Sequence, residues 1–281
     1  MNPRSGKGAA QAADLLIGEA EVWRYSAAAE AKHCQDRLAR EEPLEIRVRG
    51  RGIAVTMRTP GHDEDLAAGF LLSEGIIRKP SDITAMGPCA RSDSPENTLN
   101  VFLAPSVRLN LKRLTRHVFA SSSCGLCGKA SIDAVQQEFP PVTSNVRVSI
   151  QVIRTFPGAM RAAQPAFEKT GGLHAAAVFT ETGELIVLRE DVGRHNAVDK
   201  VIGYGLRAGK LPFADNVLLV SGRASFEIMQ KALAARVPIV CAVSAPSSLA
   251  VEFARESGQT LVGFIRGDSL NVYAGRQRLS P

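Results

Sequence analysis

Apolar and polar positions along this chain change period several times, and each change predicts an element. From Leu44 to Met57 apolar residues alternate with charged ones across Gly50-Arg51-Gly52, which predicts a β-hairpin turning at that Gly-Arg-Gly. Its Arg47, Arg49 and Arg51 form either the solvated side of the sheet or a face for anions. Pro60 with the acids Asp63, Glu64 and Asp65 predicts a helix start, and the run from Leu66 carries that helix to Gly75. Leu99 to Leu103 predicts a short strand. Ile132, Val135 and Phe139 recur at helical spacing, so 129–139 reads as a helix that Pro140 and Pro141 end. Residues 154–167 read as helical or irregular. Beyond Thr170 the pattern is regular. Strands at 172–179 and 184–189 are joined by a tight turn, a helix follows at 195–206, and a strand at 216–220. A helix at 224–236, a strand at 238–244, a helix at 247–256 and strands at 260–265 and 269–273 complete the chain. Near-continuous apolar strands alternating with helices predict an α/β fold with a mainly parallel sheet and helices on both faces. The expected division is a flexible N-terminus (1–18), a smaller N-terminal α+β subdomain (19–120), a loop (121–128) and a C-terminal α/β domain (129–281).

Composition narrows the function classes. The 281 residues are 45% hydrophobic and 22% charged, ordinary for a globular protein, and a chain this long buries a sizeable core. The net charge of +6 favours an anionic ligand or partner. Aromatics are 5%, and no basic stretch is interleaved with them as a nucleic-acid stacking platform requires. No run is long and apolar enough for a membrane span, and Asp14, Glu19 and Glu21 interrupt any signal-peptide core. Five cysteines without a regular framework point to a reducing compartment, the cytoplasm.

The densest chemistry lies in Ser121-Ser-Ser-Cys-Gly-Leu-Cys-Gly-Lys129. Cys124 and Cys127 precede the helix expected at 129–139, where free backbone N–H groups and the helix dipole favour a thiolate. No acidic residue occurs from Asn97 to Ile132, whereas Arg108, Lys112, Arg113, Arg116 and Lys129 all do. Three readings fit the pair: part of a zinc site, a redox dithiol, or a nucleophilic thiolate that carries sulfur with a second thiol beside it. Zinc needs further ligands, and neither Cys34, Cys89 nor Cys241 forms a second C-x-x-C. Cys241 reads as core; Cys34 and Cys89 read as loop or helix residues.

Polar sets follow four of the predicted strands: Arg189-Glu-Asp-Val-Gly-Arg-His-Asn196, Ser221-Gly-Arg-Ala-Ser-Phe-Glu227, Ser244-Ala-Pro-Ser-Ser248 and Phe264-Ile-Arg-Gly-Asp-Ser269. Ligands of parallel sheets bind at such ends, and helix N-termini welcome anions. His195 with Asp199 four residues on reads as an oriented base or a structural pair. His174 reads as a hydrogen-bonded histidine rather than a metal ligand.

The Cys124 segment, Thr170-Gly-Gly-Leu-His174, the 189–200 run, the 221–227 and 244–248 sets and Gly69-Phe-Leu-Leu-Ser-Glu-Gly-Ile-Ile77 together resemble the FdhD family of formate dehydrogenase accessory sulfurtransferases. The resemblance covers residues 40 to 275. It implies a cytidine-deaminase-like core and a homodimer. It also implies a cysteine desulfurase as sulfur donor, with Cys124 as persulfide carrier and Cys127 assisting. The sulfur acceptor it implies is the bis-molybdopterin guanine dinucleotide cofactor destined for formate dehydrogenase. The turn Phe264, Ile265, Arg266, Gly267, Asp268 and Ser269 is similar to that family's cofactor-binding turn, and Ser221 and Arg223 are candidates for phosphate or guanine contact. Deaminase chemistry is not implied: His174 is followed by Ala175 and Ala176, not by the His-x-Glu pattern, and the C-x-x-C comes too early.

Overall fold

A computed structural model of the chain describes residues 16–27, 29–90, 92–108 and 139–281. The Cys124–Cys127 pair, all but the last residue of the helix expected at 129–139 and most of the N-terminus expected to be flexible lie outside the described residues.

The first described element is one the sequence pattern did not predict. Strands β1 (Ile17–Ser26) and β2 (Ala29–Ala39) form an antiparallel two-stranded ribbon. None of its described positions is fully buried; half-buried and exposed residues alternate only from Gly18 to Trp23, too weak a period to mark a strand. Cys34 therefore sits in a strand, not in a loop or helix.

The predicted hairpin follows as β3 (Glu42–Val48) and β4 (Arg51–Arg58). Its turn is Arg49-Gly50, one position earlier than expected: both residues have positive φ, 51° and 75°, as a two-residue hairpin turn requires. With β5 (Ile83–Pro88) and β6 (Thr98–Leu103) these strands make a sheet of order β4-β3-β6-β5. Helix α1 (Asp63–Ser73) lies between this sheet and the rest; it opens on three acids and stops before Gly75 at φ 69°.

The remaining elements are β7 (Val148–Ser149), α2 (Ile150–Ala162), α3 (Pro165–Thr170), β8 (His174–Phe179), β9 (Leu185–Asp191) and α4 (Arg194–Arg207), then β10 (Val217–Val220), α5 (Phe226–Ala234), β11 (Ile239–Ala242), α6 (Ser248–Glu256), β12 (Thr260–Arg266), β13 (Ser269–Ala274) and β14 (Leu279–Ser280). The six-stranded sheet has order β13-β12-β11-β10-β8-β9. Only the β10–β11 and β11–β12 pairs are parallel; β8 pairs antiparallel with both β9 and β10, and β13 with β12. The expectation of a mainly parallel sheet is corrected to a mixed one. The short Thr180–Glu184 connection can only return β9 as a hairpin, since a parallel partner needs a crossover of a dozen or more residues.

Helices cover both faces. Leu218, Val220 and Val240 pack with α4, α5 and α6 in a core that continues to Leu44, Ile46 and Val101 of the N-terminal sheet. Val217, Leu219, Cys241 and Val262 face the other way, against Ile153, Phe156 and Met160 of α2. Cys241 is fully buried and its thiol is pushed up by that burial, so it is inert packing.

The halves meet where α1 crosses α4, backbone against backbone. A Cβ on Gly69 would overlap the Asp199 carbonyl and stand 2.9 Å from the Asp199 Cα; one on Gly203 would overlap the Asp65 carbonyl and stand 2.8 Å from the Gly69 nitrogen. Buried charge brackets the crossing. Lys200, fully buried, lies 2.7 Å from Asp191 and donates to the Thr59 carbonyl at 2.8 Å. Asp65 accepts from Arg189 at 2.9 Å and Arg207 at 2.6 Å. Gly69→Ala is expected to lower unfolding stability by about 3 kcal/mol, at the upper end of overpacking costs. Lys200→Met, which strands Asp191, should cost about 3–5 kcal/mol. Chemical denaturation measures both, and a wild-type midpoint for Gly69→Ala would contradict the packing described.

Candidate functional site

Strands β9, β10, β11 and β12 all run in one direction, so their four polar C-terminal segments reach the same edge of the sheet. Register places Asp191 opposite His174, and Val220 opposite Ala176. Main-chain bonds join the segments: Val243 N–H to Val220 O at 3.1 Å, Ala224 N–H to Ala245 O at 3.2 Å, Ser247 N–H to Ala224 O at 3.0 Å and Phe264 N–H to Ser244 O at 3.1 Å.

The first polar set divides by role. Asp191 accepts from the backbone of Thr59 at 3.2 Å and of Gly193 at 2.8 Å, and from Asn196, which also donates to the Met57 carbonyl at 2.8 Å. With Lys200 these groups fasten β4 to the core. Arg189 is held by Asp65 with its guanidinium 4.9 Å from the Tyr204 ring. Glu190 accepts from the backbone of Ala166 at 3.4 Å and of Phe167 at 2.9 Å, which ties β9 to α3. Arg194 and His195 are carried to the edge.

His195 does not pair with Asp199. Its Nε2 lies 2.8 Å from Glu227 and 3.3 Å from the Ser225 hydroxyl, across the facing starts of α4 and α5. Asp199 instead turns into the α1–α5 interface, where it accepts from Lys231 at 2.7 Å and Ser73 at 3.0 Å. Burial pushes the Asp199 carboxyl up and the ammonium opposes it. Glu227 is held below the usual carboxylate range by its hydrogen bond with His195. Arg194 Nε is buried and meets no acceptor among the described residues, an uncommon state for an interior donor.

Ser221 lines a cavity of about 500 Å³ at this edge, together with His174, Leu173, Val192 and Val243 and with Met160, Arg161, Gln164 and Phe167 from α2, α3 and the link between them. Its hydroxyl accepts from the Ala175 N–H at 2.9 Å and meets His174 Nδ1 at 3.4 Å. His174 is half-buried, and burial, then Arg194 and His195, push its imidazole down toward neutrality.

Arg223 is solvent-exposed. In the β12–β13 hairpin, Phe264 and Gly267 both take φ of 52°, and the Arg266 guanidinium lies 5.4 Å from the Phe264 ring. Gly267 and Asp268 are exposed, and the Ser269 hydroxyl donates to the Arg266 carbonyl at 3.1 Å. The Ile265 side chain packs in the cluster of Val262, Cys241 and Phe156 on the α2 side of the sheet and is 1% exposed, so only its backbone faces this turn. Of the hairpin arginines, Arg47 pairs with Glu45 at 2.7 Å and Arg49 donates to the Val107 carbonyl at 2.9 Å. Among the described residues no cluster of histidine, cysteine, aspartate and glutamate is arranged to hold a metal ion, and no helix is long and apolar enough to cross a membrane.

The family model of the FdhD/NarQ family matches residues 39–280. The chain belongs to the FdhD/NarQ family. It is 53% identical over 256 residues to the sulfur carrier protein FdhD of Streptomyces avermitilis, covering 87% of this chain and 89% of that one. It is 51% identical over 261 residues to the sulfur carrier protein FdhD of Nocardia farcinica, covering 92% and 93%. Among solved structures, one from Desulfotalea psychrophila, described provisionally as a formate dehydrogenase accessory protein, superposes with a TM-score of 0.76 at 25% identity, covering 94% of this chain and all of the other.

Within this FdhD/NarQ fold, sequence reading did not find the Glu227 partner of His195, the unpartnered Arg194 Nε, or Arg161 and Phe167 at the cavity. The first two come from segments that were singled out, but their pairing depends on how α4 faces α5. Arg161 and Phe167 sit in a stretch whose helical character was itself unsettled. The depressed His174 sets a pH dependence. A folded-state value below 6.5 gives stability that is complete above 6.5 and lost as pH falls toward the folded value. A side-chain NMR titration is expected to place the His174 midpoint below 6.5; a midpoint at or above it would contradict the buried environment.

Proposed function

We propose that this chain is a sulfurtransferase that carries sulfur to a guanine-nucleotide molybdenum cofactor for formate dehydrogenase. The observation that carries the reading is the match over residues 39–280 to a family whose relatives, half identical to this chain, are sulfur carrier proteins. Cys124 and Cys127 fall inside that match.

In this reading a cysteine desulfurase presents a persulfide, and the Cys124 thiolate attacks its outer sulfur. One S–S bond forms on Cys124, the donor's S–S bond breaks, and the donor leaves as a thiolate, so the exchange needs no outside oxidant. In release the Cys127 thiolate attacks the Cys124 sulfur: a Cys124–Cys127 disulfide forms, the bond to the outer sulfur breaks and that sulfur leaves as hydrosulfide, and a thiol reductant reopens the disulfide. The acceptor is the bis-molybdopterin guanine dinucleotide cofactor, bound as substrate. The edge of the sheet, with Arg194, Arg223 and Arg266, suits its pyrophosphates. Phe264, Arg266, Gly267, Asp268 and Ser269 are proposed contacts of that cofactor, with Ile265 contributing backbone only.

The core is proposed to be of the cytidine-deaminase type. In support, strands β9-β8-β10-β11-β12 begin with an antiparallel hairpin and continue as parallel strands joined by α5 and α6. A homodimer acting in the cytoplasm completes the proposal.

Cys124→Ala is expected to leave the thermal unfolding midpoint unchanged and to reduce formate dehydrogenase maturation, measured as formate oxidation in a host lacking its own carrier, to the level of the empty host. Active enzyme matured by Cys124→Ala would refute the carrier role.

A further inference from the structure

Where the starts of α4 and α5 face one another at the polar edge, His195 and Glu227 stand as a pair. Nε2 of His195 lies 2.8 Å from the Glu227 carboxylate and 3.3 Å from the Ser225 hydroxyl. Glu227 is held below the usual carboxylate range, first by that hydrogen bond and further by Lys231 and Arg194. It is therefore ionised at neutral pH and can only accept, so the proton in the contact sits on Nε2. Both contacts of the ring use Nε2, and none is made at Nδ1 among the described residues. The two side chains are sheltered, 13% and 19% exposed. The pair is not what joins the helices: α4 and α5 have their own buried tie, Lys231 on Asp199 at 2.7 Å. His195 is also close enough to His174, on the cavity wall, to help push that imidazole down. A histidine fixed through one ring nitrogen by a carboxylate, with the other nitrogen unused, is the arrangement of an oriented proton carrier.

We propose that His195, oriented by Glu227, donates the proton that sulfur delivery consumes. The inference rests on the sulfurtransferase reading. In delivery, the hydrosulfide released from Cys124 replaces an oxo ligand of the acceptor molybdenum, which is substrate here. A metal–sulfur bond forms, the metal–oxygen bond breaks, and the oxygen leaves as water. Water carries two protons and hydrosulfide brings one, so one proton has to be supplied, and no electron is exchanged. The imidazolium gives it from Nδ1. The ring is left neutral with its remaining proton on Nε2 toward Glu227, and solvent restores the other. Glu227 is a positioning residue: it fixes the ring and favours its charged form, against the charge of Arg194 on the same turn.

The full chain is loaded by a cysteine desulfurase with cysteine, then mixed with the bis-molybdopterin guanine dinucleotide cofactor and a thiol reductant. The mass of the extracted cofactor reports delivered sulfur, followed from about pH 5 to 8, where a histidine changes charge. The wild-type rate is expected to fall along one alkaline limb. His195→Gln should be about a hundredfold slower at about pH 6 and lose the limb. Glu227→Gln should move the limb to lower pH, and Glu227→Asp should bring it back toward the wild-type position. By side-chain NMR, the neutral His195 ring of the wild-type chain should be the Nε2–H tautomer. No alkaline limb in the wild type, wild-type delivery by His195→Gln, a limb unmoved by Glu227→Gln, or an Nδ1–H tautomer would each overturn the assignment. The tautomer is read on the wild-type chain, so it decides even where a variant does not fold. Sulfur loading of the wild-type chain is scored first. A loaded chain with any of those outcomes sinks this inference alone, whereas a chain that takes no sulfur sinks the sulfurtransferase reading and this inference with it.

Discussion

The close crossing of α1 over α4 is the constraint on which the rest depends. Gly69 and Gly203 let the two backbones touch, and nothing larger than hydrogen fits at either position. That contact fixes how the N-terminal sheet sits on the main sheet. It also fixes the direction of α4, whose first turn carries Arg194 and His195. The Lys200–Asp191 pair at 2.7 Å, shut away from water, locks the same junction from the side of β4. A buried pair of this kind adds little net stability beside apolar packing, but either partner alone is strongly unfavourable. The pair therefore selects one arrangement of the halves, and with it one arrangement of the site.

This division of labour explains the polar run from Arg189 to Lys200. Arg189, Asp191, Asn196, Asp199 and Lys200 are all consumed in joining elements. Arg194 and His195 are carried to the edge as a consequence. There, Glu227 anchors His195, and Arg194 is left with a donor unmatched among the described residues beside a neutral His174. The structure thus separates groups that hold the fold from groups free to meet a ligand, although both come from one stretch of sequence.

The sequence shows the elements better than their partners. Helix α4, strands β10 to β12 and the β3–β4 hairpin are legible because their burial periods are clean. The ribbon β1–β2 is not, because neither of its faces is buried. The parallel reading of the sheet failed at β8 for a related reason: buried central strands look alike whichever way they run. At the edge, the polar strand ends are legible as a set, since each is a short polar run after an apolar one. Which residues of each set face a ligand is not, because that depends on α1, an element more than a hundred residues earlier that claims Asp199 through Ser73. His195 seemed to belong with Asp199 on helical spacing, yet a residue on the next helix, Glu227, lies 2.8 Å away.

The central claim is that Cys124 receives sulfur. It is tested most directly by incubating the protein with a cysteine desulfurase and cysteine, then taking an intact mass with peptide mapping. The account predicts one added sulfur on the peptide containing Cys124 and Cys127, carried by Cys124 and removed by reductant. An unmodified peptide, with zinc or a stable disulfide on those two thiols, would contradict it.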